Sequence, residues 1–242
     1  MTPSRTVTPV RPARQGVQDG LSYALWLPAD AVGTVTAGVV VLHGAGSCKE
    51  NHYDFARAAI ALGIAALSFD QRGHGESDGR LDGRAVDDVV AMADLLVSEL
   101  GAADAAVALR GSSMGGYLAV RAAERSGARA VVAICPASGA GLRRGLHDET
   151  LHFDADVPEL EMLLESAELG PIVERLDIPI LLLHAQGDEQ VAVQHSRELA
   201  ASLRSPQSRL IEVPAGHHRS IQHDEELQAV SLRFVARALG LR

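Results

Sequence analysis

The segment RGSSMG at 110–115 has a serine between two glycines and is the strongest candidate in the chain for a reactive site. The Gly-x-Ser-x-Gly pattern follows an apolar run at 105–109 and precedes a helical segment that starts at Tyr117. At such a strand-to-helix junction the chain turns sharply, and the glycines remove side chains that would clash. Ser113 then stands above a helix N-terminus, where backbone N–H groups favour developing negative charge. The pattern predicts a nucleophile; Ser112 competes by type, but the glycine spacing centres on Ser113.

A serine hydroxyl becomes a good nucleophile only when a base takes its proton and a third group orients that base. Candidates for both roles follow Ser113 in the chain, each just after a strand-like run: Asp188 and the adjacent pair His217 and His218. A carboxylate at 188 would hold the imidazole and stabilise its protonated form. Glu189 is the neighbouring alternative for the acid, and the residues by themselves leave the two histidines open.

Strand-like and helical segments alternate along the chain, which predicts a parallel sheet with helices on both faces. Apolar runs typical of doubly buried strands lie at 37–42, 64–69, 105–109, 130–134 and 179–184. A last strand is predicted at 209–213, and an edge strand within 20–28. Helical patterns lie at about 51–62, 83–100, 117–126, 193–203 and 224–239. Chemistry in such sheets collects at the carboxyl ends of the strands, so the serine, the acid and the histidines should meet there.

Two stretches depart from this alternation. Residues 1–19 are rich in proline and polar side chains and predict an extended N-terminal arm. Residues from about 138 to 177 are acidic and too long for an ordinary connection, and leucines at 160–164 indicate a helix there. We therefore expect a short cap inserted into one domain of residues 1–242. An acidic cap would mildly disfavour a strongly anionic substrate, unless its acids simply lie on a solvated helix face.

Several motifs, in this order, resemble those of α/β-hydrolases of the serine esterase, lipase and aminopeptidase type. They are LHG at 42–44, FDQRGHGES at 69–77, GSSMGG at 111–116, GDEQV at 187–191 and the turn at 214–219. The resemblance covers about residues 20–240 and implies the α/β-hydrolase fold, a doubly wound and mostly parallel sheet with a short cap. The chain order Ser, Asp, His is the one this fold uses.

The resemblance also implies a role for each candidate. Ser113 would be the nucleophile and Asp188 the acid of a catalytic triad. Family members commonly place the histidine four positions after the proline that ends the last strand, and four positions after Pro214 is His218. His217 remains the alternative, since the family also favours a histidine directly after glycine.

By the same resemblance, two backbone N–H groups would form an oxyanion hole. They belong to Met114, the residue after the nucleophile, and to Ala45, in the loop that begins His43-Gly44. The implied function is hydrolysis of a carboxylic ester, or a related acyl bond, of a small molecule through an acyl-enzyme. Amide cleavage and acyl transfer use the same groups. The alternative from another class is a non-catalytic protein of this fold that binds a ligand or a partner.

Other reactive side chains are expected to be structural. Three histidines inside the family's motifs should make structural hydrogen bonds: His43, His74 and His184. Asp70 and Arg72 should hold their loop together, and Cys135 should pack as a small apolar residue. We predict no metal and no cofactor, because the histidines at 147 and 152, with acids beside them, lack the convergent spacing of a metal site.

Composition narrows the partners and the compartment. The net charge of −9, with no basic run, argues against a nucleic-acid surface. No apolar stretch approaches the roughly 20 residues that cross a bilayer, and the N-terminus lacks the apolar core of a secretory signal. The two cysteines make no disulfide framework. We expect a cytoplasmic enzyme with a small-molecule acyl substrate; nothing in the sequence specifies its oligomeric state.

Overall fold

The computed structural model of the protein describes residues 10–29 and 35–241, and eight strands in them form one sheet. The strands are β1 (Arg14–Gln18), β2 (Leu21–Trp26), β3 (Ala37–Leu42), β4 (Ala65–Phe69), β5 (Ala106–Ser112), β6 (Ala130–Ile134), β7 (Ile180–Ala185) and β8 (Arg209–Val213). Their spatial order is β1-β2-β4-β3-β5-β6-β7-β8. β1 and β2 pair antiparallel and β3 to β8 pair parallel. The predicted doubly wound, mostly parallel sheet is confirmed.

Helices cover both faces of this sheet. They are α1 (Tyr53–Ala61), α2 (Ala85–Leu100), α3 (Met114–Ala122), α4 (Gly139–His147), α5 (Val157–Glu165), α6 (Leu169–Arg175), α7 (Val193–Ala201) and α8 (Glu225–Ala238), with a 3₁₀ turn at Lys49–His52. Apolar residues of α1 and α8 pack on one face of the sheet, and those of α2, α3, α6 and α7 pack on the other. Within residues 10–29 and 35–241, no helix has both the length and the apolarity to cross a membrane.

The central strands place the ends of β3 and β5 side by side. Both strands are buried along their whole length, as continuous apolar runs predict for a sheet covered on two faces. In the parallel register Leu42, the last residue of β3, is opposite Gly111 near the end of β5. The loops that leave these two strands therefore start next to each other at the carboxyl edge of the sheet.

The predicted N-terminal arm is wrong for residues 14–18, which form β1. This strand pairs antiparallel with β2, and the hairpin turns at Asp19 and Gly20, which both have positive φ. Asp-Gly is a favoured pair for such a turn. The strand lacks an apolar signature because it is an edge strand held by its backbone, and its single apolar side chain, Val17, is 64% exposed. Residues 1–9 of the predicted arm lie outside the described residues.

The stretch at 138–177 holds the three helices α4, α5 and α6. The expected helix around 160–164 is present as α5, with Leu160 and Leu164 buried. Helix α4 was not predicted from the sequence because it contains three glycines, which are poor helix formers. Its N-terminus is capped instead by Ser138, whose side chain accepts a hydrogen bond from the Gly141 N–H.

Candidate active site

The turn between β5 and α3 has the backbone that a nucleophile elbow needs. Ser113 has φ 52° and ψ −117°, outside the regions that ordinary residues favour. A Cβ on Gly111 would overlap the carbonyl of Gly115, and a Cβ on Gly115 would overlap the carbonyl of Leu42, so both positions require glycine. Ser113 is partly exposed between buried neighbours, whereas Ser112 is only 5% exposed. The tight packing of this turn presents Ser113 to solvent.

The start of α3 and the loop after β3 meet at this serine. Met114 is the first residue of α3, so the helix begins three residues earlier than predicted and directly follows Ser113. A Cβ on Gly44 would lie 3.3 Å from the Ser113 Cβ, which shows how closely the loop approaches. Ala45, the next residue of that loop, lines the same cleft as Ser113. Of the two predicted oxyanion-hole residues, Met114 thus directly follows Ser113 and Ala45 lies in the loop that approaches it.

A buried histidine fixes the loop after β3. His43 Nε2 accepts a hydrogen bond of 3.0 Å from the Gln71 N–H, and the Gln71 side chain donates to the His43 carbonyl at 2.6 Å. Burial lowers the pKa of His43 to about 4, so the ring is neutral at pH 7 and able to accept. The expected structural role of this histidine is confirmed, and it joins the loop after β3 to the loop after β4.

The only lysine of the chain ties the same two loops together. Lys49 Nζ is fully buried and lies 2.8 Å from Asp70 Oδ2 and 2.7 Å from Glu76 Oε2. Burial alone would lower the pKa of Lys49, but hydrogen bonds to these carboxylates and to Glu50 raise it. Asp70 does hold its loop, as expected, through this lysine. Arg72 instead pairs with Asp88 on α2, at 2.9 Å between Nε and Oδ2.

The acid at the end of β7 is held by several donors. Asp188 Oδ1 accepts from the backbone N–H groups of Gln190 and Val191, both at 2.8 Å. His184 Nε2 lies 3.3 Å from Asp188 Oδ2 and 2.8 Å from the Val191 carbonyl, which is the structural role predicted for it. Burial alone would raise the pKa of Asp188, but the hydrogen bonds from His184, His218 and the Val191 N–H lower it far below its ordinary value. The carboxylate is therefore charged at any working pH.

His218 faces this acid and His217 does not. His218 Nδ1 lies 2.7 Å from Asp188 Oδ2, and the residue is 6% exposed. His217 is exposed, and its N–H donates to Ser220 Oγ at 2.8 Å. Glu189, the alternative acid, accepts from the His218 backbone N–H at 3.3 Å and does not engage its ring. Of the alternatives that the sequence left open, the structure pairs only Asp188 with a histidine ring of this loop.

The loop that carries His218 is anchored by a residue that sequence reasoning missed. The Arg110 guanidinium, 1% exposed on β5, donates to the Gln222 carbonyl at 2.9 Å and lies 4.0 Å above the Phe55 ring. Burial lowers the pKa of Arg110 to about 10, so it remains a cation. The available signal was a charged residue that interrupts an apolar strand directly before the Gly-x-Ser-x-Gly turn.

Cys135, which was expected to pack as a small apolar residue, follows β6 with φ 42°. Its Sγ, a carboxylate oxygen of Asp188 and a ring nitrogen of His218 all lie within 4.8 Å of one another. Three such ligand types can bind a metal, but burial raises the pKa of Cys135 and keeps it a neutral thiol. His218 and Asp188 are also bonded to each other. The grouping fits a thiol packed beside the acid better than a metal site.

These groups open into one cleft of about 930 Å³. Ser113 and His218 both line it, together with Ala45. Because His218 Nδ1 is engaged by Asp188, Nε2 is the ring nitrogen left for the cleft. A serine, an imidazole with a buried carboxylate behind it, and backbone N–H groups beside the serine are the components of nucleophilic acyl transfer.

Comparison with known sequences places the chain beside one described family. The profile of the serine aminopeptidase S33 family matches residues 33–153, half of the chain. The uncharacterised protein Rv2307c of Mycobacterium tuberculosis H37Rv is 25% identical over 224 residues, which span 89% of this chain and 76% of that protein. The match to the family profile includes the loop after β3, the loop after β4 and the turn around Ser113.

Two of the similar solved structures are those of a lipase and an esterase. A soluble variant of the Saccharomyces cerevisiae monoglyceride lipase, in complex with a substrate analogue, superposes with a TM-score of 0.75 over 98% of this chain and 97% of that one, at 15% identity. The Pyrococcus furiosus esterase Pf2001 superposes with a TM-score of 0.71 over 95% of this chain and 93% of that one, at 21% identity. At this identity the similarity shows the shared fold.

Proposed function

Because this chain belongs to the serine aminopeptidase S33 family of α/β-hydrolases, we propose that it is a serine hydrolase that cleaves a carboxylic ester of a small molecule. In the first half-reaction Ser113 Oγ attacks the carbonyl carbon while His218 Nε2 takes its proton. The backbone N–H groups of Met114 and Ala45 stabilise the oxyanion that forms. His218 then gives the proton to the leaving alcohol, and the acyl group remains on Ser113.

Water completes the reaction on the acyl-enzyme. His218 removes a proton from the water as it attacks the acyl carbon, and returns that proton to Ser113 Oγ when the acid leaves. Asp188 stays ionised throughout. Its charge keeps His218 in the tautomer with Nδ1 protonated and stabilises the imidazolium during each transfer.

The observation that carries this proposal is the contact of 2.7 Å between His218 Nδ1 and Asp188 Oδ2. A histidine that merely packed in the loop would not need an anion that is buried and supplied with backbone donors. The pairing also directs Nε2 to the cleft that Ser113 lines. The names of the similar solved structures, an esterase and a monoglyceride lipase, favour an ester over an amide.

We further propose that α4 and α5 act as a short cap on a single catalytic domain. The segment between them is joined to the loop after β4 by backbone hydrogen bonds, from the Leu81 N–H to the Asp154 carbonyl at 2.9 Å and from the Asp154 N–H to the Gly73 carbonyl at 3.1 Å. Residues of α4 line the cleft that contains Ser113.

Both cysteines have free thiols, which favours a reducing compartment such as the cytoplasm.

Hydrolysis of 4-nitrophenyl esters with acyl chains of two to eight carbons tests the proposal. We expect turnover of at least one ester by the wild type and loss of at least about a thousandfold in Ser113→Ala. Ser112→Ala is the matched control, and amino-acid 4-nitroanilides report amide cleavage. Equal turnover in Ser113→Ala and the wild type would contradict the proposal. Absence of turnover with a folded protein would instead support the non-catalytic alternative.

A further inference from the structure

The lining of the cleft has a charge balance opposite to that of the whole protein. The chain carries a net charge of −9 at pH 7. The cleft is lined by two arginines, Arg144 on α4 and Arg219 directly after His218, and by one carboxylate, that of Asp148. Across residues 10–29 and 35–241, no carboxylate lies within 4.0 Å of either guanidinium. Two cations thus face the space that a substrate would occupy.

The acids of the cap do not cancel this charge, because several of them are paired with bases of the cap itself. Glu165 Oε1 lies 2.6 Å from the guanidinium of Arg143, and Glu161 Oε1 lies 2.6 Å from His147 Nε2. Neither acid lines the cleft. The acidic composition at 138–177 therefore gives no reason to disfavour an anionic substrate, which agrees with the alternative of a solvated helix face.

Neutral polar groups add to the same lining. Asn51, Ser138 and Thr150 contribute amide and hydroxyl groups to it. His195 Nε2, also in the lining, is buried and has no hydrogen-bond partner within the described residues. A buried polar atom without a partner costs free energy unless a ligand or water satisfies it. The cleft is therefore equipped for a substrate with polar groups beyond the ester itself.

Resting on the proposed function, we infer that the ester cleaved here bears a second, anionic group, a carboxylate, that is bound by Arg144, Arg219 or both. A guanidinium offers a planar fork of N–H donors that matches a carboxylate, and hydrogen bonds between charged partners are the stronger ones. Arg219 adjoins the base and Arg144 lies on the cap, so the carboxylate can be on either side of the scissile bond. The substrate class is thus a half-ester or an ester of a hydroxy acid.

Two matched pairs of esters test this inference. The first pair, 4-acetoxybenzoate and 4-acetoxybenzamide, differs only by a carboxylate in the leaving group. The second pair, 4-nitrophenyl esters of terephthalic acid and of 4-carbamoylbenzoic acid, differs only by a carboxylate in the acyl group. We expect the wild type to prefer the carboxylate member of at least one pair by about tenfold in kcat/KM. The preference should weaken with added salt, because the arginines are exposed.

Arginine variants identify the group that binds. The preference should fall in Arg144→Gln, in Arg219→Gln or in both, and should vanish in the double variant. Arg143→Gln is the matched control: this arginine is next to Arg144 on α4 but pairs with Glu165 and does not line the cleft, so the preference should be retained. No preference in the wild type, or an unchanged preference in the double variant, would overturn the inference.

The result separates this inference from the proposed function. If hydrolysis of the two neutral esters depends on Ser113 but the arginine substitutions do not change the preference, the proposed serine hydrolase stands. The inference of an anionic substrate is then wrong. Equal rates for the wild type and Ser113→Ala on all four esters would remove both.

Discussion

The carboxyl edge of the sheet and the cap differ in how firmly they hold the side chains that face the cleft. At the sheet edge, Asp188 follows the buried strand β7 and accepts hydrogen bonds from two backbone N–H groups. Two histidine rings also contact its carboxylate. On the cap, Arg144 lines the cleft and is exposed, and within the described residues no carboxylate lies within 4.0 Å of its guanidinium. The chemistry therefore rests on a fixed scaffold, whereas Arg144, one of the two arginines that we assign to substrate recognition, sits on lightly held surface.

This difference predicts that substitutions at the sheet edge abolish the reaction or destabilise the fold, whereas those on the cap alter which substrate is used. A substitution in one region that had the effect expected of the other region would show that the two regions do not have separate roles. The expected effects decrease from the base, through its acid and the buried ion pair beneath the loops, to the helix N-termini.

The largest effect is expected at the base. His218→Ala should lower kcat by as much as about a millionfold, because it removes the imidazole that contacts Asp188 and lines the cleft with Ser113. His217→Ala should change kcat by less than about tenfold, since its ring is exposed and does not contact Asp188. Steady-state hydrolysis of the best 4-nitrophenyl ester measures both. Loss of activity in His217→Ala alone would reverse the assignment.

Removing the charge of the acid comes next. Asp188→Asn should lower kcat by about ten-thousandfold, since an amide at this position favours the wrong tautomer of His218. Glu189→Gln is the matched control one residue away and keeps the acceptor for the His218 backbone N–H. It should retain activity within about tenfold. If both substitutions had equal effects, the buried carboxylate would not be the group that orients the base.

The buried ion pair beneath the two loops should give the largest effect on stability. Lys49→Met leaves the Asp70 carboxylate buried without its cation and should lower the free energy of unfolding by about 3–5 kcal/mol. Arg125→Gln removes an arginine from an exposed pair with Asp87 and should cost less than about 1 kcal/mol. Urea unfolding followed by circular dichroism gives both values. A small loss in Lys49→Met would mean that the loops are held by other contacts.

The smallest effects are expected at helix N-termini, where the two regions can be compared directly. Asp224 caps α8, packed on the sheet, by accepting from the Leu227 N–H at 2.9 Å. Asp156 caps α5 of the cap by accepting from the Glu159 N–H at 3.4 Å. Replacement by alanine should cost about 1 kcal/mol at Asp224 and about half of that at Asp156. Thermal unfolding of the two variants ranks them, and the reverse order would contradict the contrast drawn here.

Much of the scaffold could be predicted because burial leaves a simple pattern. The predicted strands at 37–42 and 130–134 coincide with β3 and β6, since strands covered by helices on two faces are apolar throughout. The α/β-hydrolase resemblance was confirmed by the family match and by the fold. The turn at Ser113 was predictable because only glycine fits at positions 111 and 115, two residues before and two residues after it.

The remainder depended on contacts that spacing does not encode. β1 is held by backbone pairing and α4 by its N-cap, so neither has an apolar period to detect. Arg110 belongs to the site only because it reaches the Gln222 carbonyl, more than a hundred residues away in the chain. The charge of the cleft could not be predicted from the cap's composition, since composition does not show which of the acids line the cleft.

The central claim is that Ser113 is a nucleophile activated by His218 and Asp188, and active-site labelling tests it most directly. A fluorophosphonate reacts with an activated serine, and mass spectrometry of the digested protein locates the adduct. We predict one adduct, on Ser113, that is absent in Ser113→Ala and slowed at least about a thousandfold in His218→Ala. A folded wild-type protein that takes up no label, or that takes it up equally after His218→Ala, would contradict the account.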